Sequence, residues 1–112
     1  MSNDCIFCRI AAGDIPADLV LEDEEVVAFR DTNPQAPTHV LVIPRRHVAS
    51  AHELDDPGLT AALFAAMRRI ADAEGLGDGY RIVTNIGPAA GQSVAHLHFH
   101  LLGGRSLAWP PG

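Results

Sequence analysis

The sequence predicts an α+β fold, an antiparallel sheet of about five strands packed by one main helix. Short apolar runs with strand character recur at Leu19 to Leu21, Val26 to Phe29, His39 to Ile43, Tyr80 to Asn85 and Val94 to Leu102. Only the stretch after Asp56 carries apolar residues at sustained helical spacing. The connections between the runs are mostly too short for parallel crossovers, which take a dozen or more residues, so antiparallel pairing follows.

Taken in order, "IAAGDIPADLVLEDEEVVAFRD" reads as a short helix or turn followed by two strands, with Glu22 to Glu25 as the hairpin connection. "DTNPQAP" at 31 to 37 is turn chemistry with two prolines. The buried strand His39 to Ile43 is halted by Pro44, which has no N–H to give to a ladder. Asp56 is placed to cap the helix and Pro57 suits its first position. Leu59, Leu63, Met67 and Ile70 share one helix face, and Gly75 ends the helix. The last two strands are joined by the loop "IGPAAGQS".

A chain of 112 residues with 47% hydrophobic and 20% charged residues fits one folded domain, residues 1–112, with one core and one site. The net charge of −6 argues against a basic face for a nucleic-acid backbone, while leaving room for a small phosphorylated ligand held by local donors. All eight basic residues are arginines, so no chemistry that needs a lysine nucleophile applies. The sequence shows neither a secretory leader nor an apolar run of the ~18 residues a membrane span needs, which points to a cytoplasmic chain without membrane contact. In a reducing compartment Cys5 and Cys8 are expected as thiols or metal ligands rather than as a disulfide.

The stretch that carries chemistry is "HLHFH", residues 96 to 100, with three of the six histidines. Strand alternation puts His96, His98 and His100 on one face and Leu97, Phe99 and Leu101 on the other. The outer two histidines then lie on the order of 13 Å apart, too far for all three to share one zinc, although an adjacent pair remains within reach. In the preceding loop Gly87 and Gly91 permit unusual dihedrals, Ser93 offers a hydroxyl, and free amides suit an anion. "CIFC" has the spacing of a zinc half-site or a redox pair, without the strand-to-helix setting of a thioredoxin motif.

The run His96-Leu97-His98-Phe99-His100-Leu101-Leu102 resembles the signature of the histidine triad superfamily, three alternating histidines followed by two apolar residues. The resemblance extends from Cys5 to the end, through "FRDTNPQAPTHVLVIPRRH", "GQSVAHLHFHLLGGR" and "WPPG". It is closest to the histidine triad nucleotide-binding branch, the purine nucleoside phosphoramidate hydrolases; the transferase branch has glutamine where His100 stands.

That resemblance implies a histidine-triad fold and a homodimer acting on a purine nucleotide, through a nucleotidyl-histidine intermediate on His98. His39 and His100 would form a supporting pair, with Ser93 contacting the phosphate. Asp31 would accept from the ribose hydroxyls, and Ile6, Phe7, Ile10 and Phe29 would surround the purine. Asn85, Gly91 and Gln92 would complete the substrate contacts, and Trp109 would border the neighbouring subunit's site. It also implies a structural zinc on Cys5, Cys8, His47 and His96, with no cofactor needed for the chemistry. Hydrolysis of other nucleotidyl conjugates, or nucleotide binding with vestigial catalysis, are the alternatives. His52 matches nothing, and Arg45 and Arg46 read as solvated.

Overall fold

The computed structural model describes residues 4–112, so the first three residues of the terminal segment considered above lie outside it. Seven principal elements follow in order: α1 (Ile6–Ala11), β1 (Leu19–Glu22), β2 (Val26–Arg30), β3 (Thr38–Pro44), α2 (Pro57–Ala73), β4 (Tyr80–Val83) and β5 (Phe99–Gly103). Single 3-10 turns lie at Ala51–Glu53 and Pro88–Ala90. The five strands form one sheet in the order β1-β2-β3-β5-β4, antiparallel at every pairing. Because β3 and β4 both run against β5, they share a direction, and α2 supplies the long crossover that this requires.

Local chemistry explains the element ends. The β1-β2 hairpin turns on Asp23, whose Oδ1 accepts from the Glu25 and Val26 amides at 2.9 and 2.8 Å. Asp56 Oδ1 accepts from the Leu59 amide at 3.1 Å, capping α2 ahead of Pro57. At the other end Gly75 takes φ +72°. Its amide donates to Asp72 O and that of Leu76 to Ala71 O, the double closure that only a left-handed residue allows.

The sheet is covered on both faces. Leu59, Leu63, Met67 and Ile70 of α2 pack with Val26, Ala28, Val40, Val42, Phe99 and Leu101, and Leu97 joins them. On the opposite face α1 contributes Phe7 and Ala11 to a smaller cluster with Val27, Phe29, Leu41 and Ile43. His100 pairs with Leu41 across β3 and β5 and therefore looks toward the α1 side.

Two strands are shorter than the sequence suggests. The expected strand Val94 to Leu102 is paired only from Phe99, so His96 and His98 precede β5 in irregular backbone; the expected Tyr80 to Asn85 stops at Val83. The ladder around β5 gives the reason. Its last partners are Val42 opposite Phe99 and Val83 opposite His100, and β3 then ends in Pro44 without a donor. Tertiary bonds replace the ladder there: the Leu97 amide donates to Val48 O at 2.6 Å, and the Thr84 hydroxyl to His98 O at 2.9 Å.

Candidate functional site

His98 is 5% exposed, its ring nearly perpendicular to that of Phe7 at a centroid distance of 5.1 Å. Its Nδ1 lies 2.8 Å from the carbonyl oxygen of His96. A carbonyl only accepts, so Nδ1 carries the proton and, in the neutral ring, Nε2 carries the lone pair. The carbonyl also faces the positive charge that would develop on the ring as Nε2 forms a bond. Thr84, which the sequence did not single out, holds the His98 backbone from the other side through its hydroxyl. Its signal appears only once β4 is laid beside β5.

His39 and His100 form a second unit. The Gln35 amide donates to His39 Nδ1 at 3.0 Å, which leaves the proton of neutral His39 on Nε2. That Nε2 lies 2.9 Å from His100 Nδ1 and donates to it, so neutral His100 holds its own proton on Nε2. Asp31 Oδ2 stands 3.4 Å from the same His39 nitrogen, while Asp31 Oδ1 accepts from the Asn33 amide at 2.8 Å. Asp31, His39 and His100 thus bring ligand-type atoms within 4.8 Å of one another. The Gln35 bond decides against a metal there, because the His39 nitrogen facing the group carries hydrogen rather than a lone pair. Burial pushes the pKa values of both histidines below the ordinary imidazole range; neighbouring His98 and His39 add to this at His100, and Asp31 opposes it at both.

Cys5, Cys8, His47 and His96 converge into a third group, with one ligand atom from each within 4.8 Å of the others. His96 Nδ1 lies 3.2 Å from Cys5 Sγ, 3.4 Å from Cys8 Sγ and 3.2 Å from His47 Nδ1, and Cys8 Sγ lies 3.3 Å from His47 Nδ1. A zinc tetrahedron with its usual bond lengths has edges of about 3.3 to 3.8 Å, so the four donors fit such an ion. The other nitrogen of His96 donates to Pro44 O at 2.9 Å, the kind of bond that orients a ligating imidazole. Desolvation, followed by the adjacent Cys5 sulfur, pushes the Cys8 thiol up to about 11. A coordinating cation would deprotonate it. A cavity of about 930 Å3 opens over the group, lined among others by Ile6, Cys8, His47, Ser93 and Val94.

The remaining sequence-selected residues divide. Phe7 and Phe29 are buried edge-to-face at 5.6 Å and Ile10 packs against their cluster, whereas Ile6 is 46% exposed. Gly87 and Gly91 have φ of +85° and +94°, as the expected unusual dihedrals require. The loop amides are less free than expected: those of Ala90, Gly91 and Gln92 close bonds inside the loop. The Gln92 side chain braces it, accepting from the Gly87 amide and donating to the Ala49 and Val94 carbonyls. Ser93 is exposed at the loop's end, and Asn85 Nδ2 lies 3.9 Å from where a Cβ on Gly91 would sit. Trp109 is 82% exposed. Arg45 is not the solvated residue the sequence suggested: it donates to Asp23 O, Ala11 O and Glu22, strapping α1 to the hairpin. Arg46 faces Asp56, and His52 is exposed, as expected.

A five-stranded sheet with His100 on β5, led into by His96 and His98 on the same α1 side, defines a histidine triad domain. Residues 12–107 match the HIT domain family, and the chain belongs to it. It is 51% identical to the 14 kDa zinc-binding protein of Zea mays, with 96% of this chain and 87% of the relative covered. The crystal structure of a HIT family hydrolase from Legionella pneumophila superposes with a TM-score of 0.95 at 49% identity, covering 97% of this chain and all of that one. The histidine triad nucleotide-binding protein of Candida albicans gives a TM-score of 0.84 at 31% identity, over 96% of this chain and 83% of that one. Among the described residues no helix is long and apolar enough to cross a membrane.

Proposed function

We propose that this chain hydrolyses the phosphorus–nitrogen bond of purine nucleoside 5′-phosphoramidates through a nucleotidyl-histidine on His98 Nε2. It is a hydrolase of the histidine triad family; the bond and the nucleophile are our assignment. The observation that carries the reading is the 2.8 Å bond from His98 Nδ1 to the His96 carbonyl, which leaves a lone pair on Nε2 of a buried imidazole.

Nε2 attacks the α-phosphorus in line, the P–N bond breaks, and the nitrogen departs as an amine with a proton from solvent. Water then attacks the same phosphorus and breaks its bond to Nε2, giving the nucleoside monophosphate and neutral His98. One water is consumed: its hydroxyl goes to phosphorus, and the proton it releases balances the one taken by the amine. His100 Nε2–H and the Ser93 hydroxyl supply donors to the phosphoryl group and leaving nitrogen. Phe7 and Phe29 offer the purine an aromatic wall, and Asp31 offers the ribose a carboxylate.

We assign the Cys5, Cys8, His47 and His96 group to a structural zinc, on the fit of its donors and the zinc-binding relative. Four protein ligands leave no open position, so no step of the reaction passes through it. We also assign a homodimer: β4 is an edge strand with Tyr80 exposed, and the exposed Trp109 follows a segment tied to β4 by the Arg81 bond to Ala108 O.

The test is turnover of adenosine 5′-phosphoramidate by the wild type and by His98→Ala, matched for folding. Turnover by the wild type with a loss of roughly a thousandfold or more in the variant is the expected result. Unimpaired turnover by the variant overturns the nucleophile. An inactive wild type that binds AMP overturns the enzyme assignment for this substrate class.

A further inference from the structure

We propose that the metal centre positions the active site as well as stabilising the fold, through two connections built from ligand residues and their neighbours. This rests on the assignment of His98 as nucleophile. The first connection is His96 itself. Its ring is one of the four donors and is fixed at its far nitrogen by Pro44 O, while its own carbonyl receives the His98 Nδ1 proton. The peptide that sets the nucleophile's tautomer is therefore carried by a metal ligand.

The second connection is α1. At six residues this helix is too short to persist in water without tertiary support. Cys5 caps it, with Sγ accepting from the Cys8 amide at 3.2 Å, and Cys8 lies in its first turn. Between the two ligands sits Phe7, in T-shaped contact with His98 at 5.1 Å, His96 at 6.0 Å and Phe29 at 5.6 Å. The two cysteines thus hold the helix that brings the aromatic wall to the nucleophile. The larger core, between α2 and the opposite face of the sheet, contains none of the four ligands. Loss of the ion should loosen the first turn of α1 and the His96 carbonyl, while Arg45 keeps the far end of α1 at the hairpin and α2 and the paired strands stay folded. His47 is exposed and the cavity reaches Cys5 and Cys8, so a soluble chelator has access.

The experiment compares zinc-loaded, chelator-stripped and zinc-restored protein. AMP affinity is measured by calorimetry, His98 ring nitrogens by 15N NMR, and global fold by circular dichroism. On stripping, the expected result is a retained sheet and α2 signal, at least tenfold weaker AMP binding, and a shift of His98 from the single Nδ1–H form to exchanging tautomers. Zinc restores both. Unchanged AMP affinity and an unchanged His98 spectrum in the stripped, folded protein overturn the proposal. If stripping unfolds the chain, His47→Ala decides, since it removes the exposed ligand and keeps the other three. Weaker zinc binding with parental AMP affinity and His98 spectrum overturns the proposal; parallel losses support it. Failure of the loaded wild type to hydrolyse phosphoramidate would count against the proposed function alone, because the NMR comparison does not depend on turnover.

Discussion

Single hydrogen bonds fix which nitrogen does what in this site. The Thr84 hydroxyl and the His96 carbonyl hold His98 from two sides. Thr84→Val removes the hydroxyl at nearly constant volume, and its expected cost is about 1 kcal/mol in urea unfolding. Because it loosens the backbone of the proposed nucleophile, kcat should fall more than KM rises in steady-state assays of the proposed phosphoramidate substrate. His39 and His100 give a pH dependence of known sign. Burial lowers both pKa values in the folded chain, against an unfolded value of ~6.5. Below that value the unfolded chain binds protons that the folded chain refuses. Stability is thus complete above pH ~6.5 and declines as pH falls toward the folded values. Urea midpoints at pH 8 and 5.5, with zinc saturating, should show a smaller decline for His39→Gln than for the wild type. An equal decline in both would mean that other groups carry it.

The elements are stopped by chemistry that differs from end to end. α2 is bounded by a capping aspartate followed by proline and by a left-handed glycine, and each can be tested alone. Gly75→Ala forces a Cβ into φ +72° and should cost about 1–2 kcal/mol. Asp56→Ala removes the cap and should cost ~1 kcal/mol. Thermal or urea unfolding reads both, and a stabilised Gly75→Ala would contradict the left-handed geometry. β5 has no such signal at its start. It begins where neighbouring strands still offer partners, and the segment before it is held by Val48 and Thr84 instead. Extended pairing through His96 would have placed all three triad histidines on one regular ladder. Irregular backbone lets His96 turn into the metal group while His98 remains against Phe7.

At the scale of the whole molecule, the sheet separates stability from chemistry. One face carries the large core under α2, and the other carries the histidines, α1 and the metal donors. The proposed dimer predicts a solution mass near twice the 11.9 kDa of the chain, read by light scattering, and a shift toward monomer when Tyr80 is replaced by Glu on the edge strand. A monomeric wild type at assay concentration would overturn it. Much of this arrangement was legible in the residues. The helical spacing of Leu59, Leu63, Met67 and Ile70 fixes α2, because a buried stripe is a local periodicity. The alternation of residues 96 to 101 separates core from site, because Leu97, Phe99 and Leu101 have to leave water even where the strand is not paired. The grouping of Cys5, Cys8, His47 and His96 was available only from family resemblance, since no local rule joins positions 91 residues apart. The His39–His100 pair was likewise legible only through the resemblance. Three further facts waited for the tertiary structure: the start of β5, the bracing role of Gln92, and the Thr84 bond that holds the His98 backbone. Each depends on where a distant backbone N–H or C=O comes to lie, and that position is decided by strand pairing and packing rather than by the residue itself.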